Sequence, residues 1–346
     1  MKRLLIPFLI VCMLFSGCAK TEQPEKEHPE KEQFTATFLE LFDTVTTIVG
    51  RDVDKESFTV KAQAIRDDLE YYHRLFDIYN DYEGIANLKT VNDHAGVSAV
   101  TVERVVIDLL LDCKRYYYLT EGRVNVAMGG VLTLWHEARS DGIRDPLNAQ
   151  LPDVEQLKKA AEHISLESVI INEAQSTVYI EDPNVCLDVG AVAKGWATQQ
   201  VAKNAPRGML ISVGGNVCAT GPKTEEGSPW VIGIQNPDDV NTNLHAVYLT
   251  KGAVVTSGDY QRTYTVDGNQ YHHIIDPKTQ MPATRWRSVS IICEDSGLAD
   301  ALSTGLFLMD LEEGKCLAEQ CGAEVLWVDH EKNEFMTPGL KTQLRN

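Results

Sequence analysis

Positive charge is scarce in this chain. Its 346 residues carry 32 lysines and arginines against 50 aspartates and glutamates, a formal net charge of −18. With no basic patch to neutralise phosphates, a nucleic-acid partner is excluded. Cysteine is present but unpatterned: Cys113, Cys186, Cys218, Cys293, Cys316 and Cys321 form no CxxC pair and no zinc-like spacing with histidine. They read as scattered core thiols, with a Cys316–Cys321 bridge left open for an oxidising compartment. The GxxxxGK[ST] phosphate loop is missing. So are internal repeats and any apolar run long enough for a comfortable membrane span.

What remains is the composition of a soluble globular protein, 43% apolar and 24% charged. The length suits one large domain or two medium ones. The opening MKRLLIPFLIVCMLFSGCAK sets two basic residues before a short apolar run that ends on small residues and a cysteine. That is the layout of a secretory signal. Leu14-Phe15-Ser16-Gly17-Cys18 resembles the bacterial lipoprotein cleavage box, which implies a signal peptide over 1–17 and lipid on Cys18. An uncleaved N-terminal anchor is the alternative. A multiply acylated terminus would hold the protein on the cell membrane, facing out of the cytoplasm. The charged, proline-containing KTEQPEKEHPEKEQ cannot bury a core and reads as a tether, taken with Cys18 as 18–36. The folded domain is then 37–346.

Periodicity places the elements. FDTVTTIVGR (42–51) suits a strand. Segments 57–80, 102–122 and the shorter DVEQLKKAAEHI repeat apolar residues at helical steps. After residue 165 the texture turns β-rich: a hairpin in SVIINEAQSTVYIED, then strand-like runs in MLISVGGNVCATG, WVIGIQNP, HAVYLTKGAVVTSG and SVSIICED. Asp267-Gly268 marks a second hairpin. Two helices interrupt these strands, one starting near Ala191 and one over 297–311. Strands and helices do not alternate strictly, so the predicted class is α+β with a mainly antiparallel sheet in a single domain.

Four stretches carry candidate chemistry. In CLDVGAVAKGWATQQVAKN, Gly190, Ala191, Ala193 and Gly195 surround Lys194, with Asp188 close upstream. A strand, a bare turn and a helix N-terminus would aim N–H groups and the lysine at one anion; a surface lysine on a first helical turn is the plainer alternative. Asp300 and Thr304, spaced i, i+4, share a helical face and offer hard oxygens suited to Mg²⁺. A helix-capping carboxylate and a back-bonded threonine would serve as well. In TSGDYQRTYTVDGNQYHHIIDPKTQMPA only one of His272 and His273 can face a given side of a strand; it is either a base or merely packed. Gly214-Gly215-Asn216 permits close backbone approach and an amide contact to a heteroaromatic edge, or is a simple glycine bend.

In order, FDTVTT, DVGAVAKGWA, ISVGGNV, TSGDY, YHHIIDP and ADALST resemble the FAD:protein FMN transferase family, the ApbE-type flavin transferases, from about residue 40 to 335. The resemblance implies the family's own α+β fold and members that are often lipoproteins or periplasmic. It implies an enzyme that binds FAD, uses Mg²⁺ on the pyrophosphate and passes FMN to a Thr or Ser hydroxyl of an acceptor flavoprotein, releasing AMP. By motif, Thr44, Asp188, Lys194, Gly215 and Ile274 fall to FAD, and the Ala191 carbonyl joins Asp300 and Thr304 around the metal. His273 is the candidate base, with Asp259 next in line. Two departures stand out. VNVAMGG (124–130) replaces an Asp/Thr-containing phosphate segment, so Asn125, Ala127 and Met128 are expected on that wall. The usual DPxTG turn reads Asp276-Pro277-Lys278-Thr279-Gln280. A Mg²⁺-dependent FAD pyrophosphatase and a non-catalytic FAD-binding lipoprotein are the competing readings.

Overall fold

The computed structural model describes residues 30–345, and Lys31 onward forms one compact unit. The expected signal peptide, Cys18 and the tether up to residue 29 lie outside the described residues. The backbone of the fold is an eight-stranded sheet whose spatial order follows chain order. Its strands are Glu32–Phe38, Thr46–Asp52, Met209–Val213, Asn216–Ala219, Gly252–Gly258, Trp286–Cys293, Glu324–Asp329 and Glu334–Met336. Every neighbouring pair is antiparallel. The α+β, mainly antiparallel expectation is met.

Alternation along the central strands covers the sheet on both sides. Ala253, Val255, Val289, Ile291 and Trp327 pack on Ala299, Leu302 and Leu306 of the helix Ser296–Phe307. Val254, Ile292, Leu326 and Val328 face the opposite way, onto Trp230, Ile232, Val247 and Leu249. Those belong to a long hairpin of Trp230–Asn236 and Asp239–Leu249. With both faces buried, a strand such as Glu324–Asp329 needs no polar side and carries an unbroken apolar run over Val325–Val328.

The sequence expectations meet four differences. Residues 32–36, read as the end of the tether, belong to the first strand. Their alternation is visible only once Phe34, Ala36 and Phe38 are seen packed on the core. The strand expected from residue 42 starts at Thr46. Before it, Phe42 and Asp43 take φ of 53° and 52°, a left-handed turn held by the Phe42 N–H donating to His73 Nδ1 at 3.2 Å. The helix over 297–311 stops at Phe307, because Asp310 accepts from the Glu313 N–H and caps a separate helix, Leu311–Cys321. The helix Gly129–Arg144 was not expected. It opens on two poor helix formers and has no side-chain N-cap, and it forms because Val131 and Trp135 bury themselves on Leu157 and Tyr264. The Asp267-Gly268 turn, at φ 48° and 80°, joins Tyr264–Val266 to Asn269–Tyr271 as predicted.

Candidate active site

The helices Ala193–Asn204 and Ser296–Phe307 cross with almost nothing between them. A Cβ built on Gly195 would lie 2.4 Å from both Asp300 Cβ and the Ser296 carbonyl oxygen. Only glycine lets the two helices meet there. The crossing closes one end of a cleft of about 620 Å³. Thr44, Asp188, Ala191 and Lys194 line it, as do His273, Ile274, Asp300 and Thr304.

Asp300 does not cap its own helix; Asp295 does, accepting from the Leu298 N–H at 2.8 Å. Instead Asp300 Oδ2 accepts from the Gly195 N–H at 2.8 Å. That amide is in the first turn of its helix, where N–H groups have no partner within the helix, and the carboxylate satisfies it from outside. Among the described residues the Ala191 carbonyl has no hydrogen-bond donor. Thr304 Oγ1 has no partner there either, whereas the neighbouring Ser303 bonds back to the Asp300 carbonyl at 2.8 Å. One carboxylate, one hydroxyl and one free carbonyl are thus left facing a common space. Among the described residues no three His, Cys, Asp or Glu side chains gather as a metal cluster. The donor set is all oxygen and carries a single charge, which fits Mg²⁺ and leaves positions for phosphate oxygens and water.

Lys194 Nζ donates to the Gly190 carbonyl at 3.2 Å and lies 3.8 Å from Asp300 Oδ2. It is therefore a cleft residue held by the turn that precedes its helix, not a loose surface cation. Asp188 accepts from the Gly190 N–H at 2.8 Å. Burial pushes its carboxyl above the usual carboxylate range, against the pull of that bond and of the charges on His136, Arg262 and Lys194.

The paired histidines do separate, although both follow the strand Asn269–Tyr271 instead of lying in it. His272 is buried, with Nε2 on the Ala283 carbonyl at 2.7 Å and Nδ1 accepting the Ile274 N–H at 3.2 Å. Its hydrogen-bonding capacity is spent on structure. His273 opens into the cleft, held only by a 3.3 Å contact of Nδ1 with the Gln261 carbonyl. Desolvation, then the charge of Arg262 and further the charges of His272 and Lys194, depress its pKa and keep the ring neutral. Asp259, the second candidate base, is off the cleft wall: its carboxylate is locked on Arg287 Nε at 2.9–3.0 Å.

Two further expectations need correction. Ala127 is fully buried behind the wall, because its N–H turns inward to Asn125 Oδ1 at 2.9 Å. Asn125 and Met128 do line the cleft, but the Asn125 amide is committed to the Ile164 carbonyl at 2.8 Å. Gly215 stands off the wall while Gly214 lines it. At φ 58° and 92° the two form the turn between strands, and Gly214 is bare because a Cβ there would meet Thr44 Oγ1 at 2.6 Å.

Tyr79, Trp135, His136, Arg139 and Arg262 also line the cleft and were not singled out from the sequence. The Tyr79 ring lies tilted against that of His136, centroids 5.7 Å apart, and burial pushes its hydroxyl up to about 12. His136 and Arg139 ride on the unexpected helix, so no periodic signal pointed to them. A Tyr-Asn pair straight after an amphipathic helix was the one available hint.

With this geometry in hand, comparison with known proteins is informative. A sequence model of the ApbE family matches residues 42–327. The FAD:protein FMN transferase of Escherichia coli (strain K12) is 27% identical, over 96% of this chain and 94% of its own length. That of Treponema pallidum (strain Nichols) is 30% identical over 75% of each chain. Among solved structures, the ApbE protein of Thermotoga maritima matches with TM-score 0.80 and 29% identity, covering 91% of this chain and all of its own. The flavin transferase ApbE of Vibrio cholerae matches with TM-score 0.75 and 25% identity over the same share of this chain. The fold, the six ordered motifs and the convergence of their residues on one cleft have the same explanation: this chain belongs to the ApbE family.

Proposed function

We propose that this chain is a Mg²⁺-dependent FAD:protein FMN transferase. It joins the phosphate of FMN to a threonine or serine hydroxyl of an acceptor flavoprotein and releases AMP. The observation that carries this reading is the trio of Asp300, Thr304 and the donor-free Ala191 carbonyl, set beside Lys194 and a neutral His273 in one cleft. The names of the relatives support the same activity.

Pyrophosphate chemistry asks for positioning and charge neutralisation more than for covalent help. Asp300, Thr304 and the Ala191 carbonyl would hold Mg²⁺, which would supply charge neutralisation on the pyrophosphate. Lys194 adds a point charge from the helix N-terminus. The acceptor hydroxyl oxygen forms a bond to the FMN phosphorus as the bridging P–O bond breaks, and AMP leaves with the bridging oxygen. His273 takes the hydroxyl proton. Its pKa is held down in part by Arg262 and Lys194, the charges a bound pyrophosphate would neutralise. Substrate binding therefore removes part of that depression and leaves the larger, desolvation share in place. Tyr79, about half exposed in the cleft, offers an aromatic face for a heteroaromatic ring.

The same proposal takes residues 1–17 as a lipoprotein signal and Cys18 as the lipid-modified first residue, placing the reaction at the outer side of the cell membrane. Mass spectrometry of membrane-extracted protein tests this: an N-terminus upstream of Cys18, without lipid, would overturn it. The activity is tested by incubating protein, FAD, Mg²⁺ and a flavoprotein domain from the same organism, then weighing that domain. A gain of one FMN that EDTA abolishes supports the transferase. FAD consumed with the acceptor mass unchanged would favour water as acceptor, making the chain a pyrophosphatase.

A further inference from the structure

The transferase reading leaves two cations of the cleft without a task. Arginines of this acidic chain are mostly held by carboxylates, as Arg66, Arg74, Arg104, Arg123 and Arg287 are. Arg139 and Arg262 both line the cleft, yet among the described residues neither is in an ion pair. Arg139 meets only neutral groups and another arginine: Nη1 lies 3.5 Å from the Arg262 carbonyl and Nη2 3.3 Å from His136 Nδ1. Desolvation and then the like charge of Arg262 make its cation less favourable than usual. Arg262 sits at φ 48°, a left-handed backbone conformation that costs a non-glycine residue energy. Its charge is felt by both Asp188 and the candidate base His273. Two like charges kept close, one on strained backbone and neither in an ion pair with a carboxylate among the described residues, are a poor arrangement for stability alone. They are complementary to an anion that arrives between them.

We propose that Arg139 and Arg262 form a guanidinium pair that grips the phosphate of the FMN half, the phosphoryl group that is transferred. This rests on the transferase reading. It assigns the adenosine-side phosphate to Lys194 and the metal site, and the flavin-side phosphate to the arginines next to His273. A planar, multi-donor clamp at that phosphorus also stabilises the charge that builds on its oxygens during transfer.

The test measures binding of riboflavin, FMN, AMP and FAD by calorimetry to wild type, Arg139→Gln and Arg262→Gln. Losing a charged hydrogen bond predicts FMN and FAD binding weakened by roughly ten- to hundredfold, with riboflavin and AMP nearly unchanged. Thermal melts of the ligand-free variants should be level with wild type or higher, since a like-charge contact is relieved. Riboflavin weakened as much as FMN would mean the pair touches the flavin ring, and AMP weakened in place of FMN would put it on the other phosphate. A lowered melt with uniform loss of all ligands would make the arginines structural. Each of these outcomes overturns the proposal, as does unchanged FMN binding. Wild type failing to bind FAD at all would instead sink the transferase reading and is scored separately.

Discussion

Gly195→Ala is the smallest change that should dismantle the proposed metal site without touching a ligand. The added Cβ would sit 2.4 Å from Asp300 Cβ and 2.4 Å from the Ser296 carbonyl oxygen, where ordinary contact begins at 3.4 Å. One obstructing atom is backbone, so no rotamer change relieves the clash, and the two helices must part by about 1 Å. Overpacking of this kind costs on the order of 1–3 kcal/mol, partly offset by alanine's better helix propensity, up to about 1 kcal/mol. The fold survives that loss. The separation stretches the 2.8 Å bond from the Gly195 N–H to Asp300 Oδ2 and draws Asp300 and Thr304 away from the Ala191 turn. The oxygens on the two sides of the crossing are thereby displaced relative to one another. A misplacement of about 1 Å is worth roughly 10²-fold in rate. The assay is AMP release from FAD against Mg²⁺ concentration, with a thermal melt to certify folding. A folded variant should lose about two orders of magnitude in rate and need more Mg²⁺ to reach half its maximum. Wild-type turnover with an unshifted Mg²⁺ midpoint would refute the reasoning.

Other predictions follow from the same cleft. Asp300→Asn keeps shape but removes the only charged metal ligand, so FMN transfer and FAD hydrolysis should fall together, with only partial rescue by excess Mg²⁺; unimpaired Mg²⁺-dependent turnover would place the metal elsewhere. Lys194→Met should weaken FAD binding by about 1.5–3 kcal/mol while leaving riboflavin nearly untouched, and titration calorimetry showing equal losses would make the lysine structural. His273→Gln should slow transfer about 10²- to 10⁴-fold with FAD affinity preserved; a rate near wild type would remove its role as base. The pKa of His273 is depressed by desolvation first, and that of His272 likewise. Below about pH 6.5 the unfolded chain therefore takes up protons that the folded chain refuses. Ligand-free protein should accordingly lose stability as pH falls through that value, less steeply in His273→Gln, and identical slopes in melts at pH 7.5 and 5.5 would contradict this.

Much of the fold was readable because its elements obey single periods. The helix at Lys55–Phe76 and the hairpin at Asp267-Gly268 announce themselves by apolar spacing and by turn chemistry. Where two causes compete, the sequence misleads. Residues 32–36 look like tether because Glu32 and Gln33 continue the charged, polar run before them and only Phe34 and Ala36 mark the face that the sheet uses. The helix Gly129–Arg144 is hidden by glycines whose cost is met by tertiary burial of Val131 and Trp135. The site follows the same rule. Asp300 and Thr304 were legible from their i, i+4 spacing, and Lys194 from its bare surroundings. No local pattern could reveal that Asp300 takes the Gly195 N–H, since that bond spans 105 residues. Nor could it reveal Arg139, whose significance is that, among the described residues, it lacks a carboxylate partner. Asp259 looked available as a base and is not, because Arg287 reaches it from the adjoining strand.

The central claim is that an acceptor hydroxyl attacks the phosphorus of the FMN half and expels AMP. Running the reaction with FAD, Mg²⁺ and an acceptor flavoprotein domain in ¹⁸O-water, then weighing every product, tests it directly. The account predicts an acceptor heavier by one FMN, with neither that adduct nor the AMP carrying ¹⁸O. Label in free FMN beside an unmodified acceptor, or label in AMP, would contradict it.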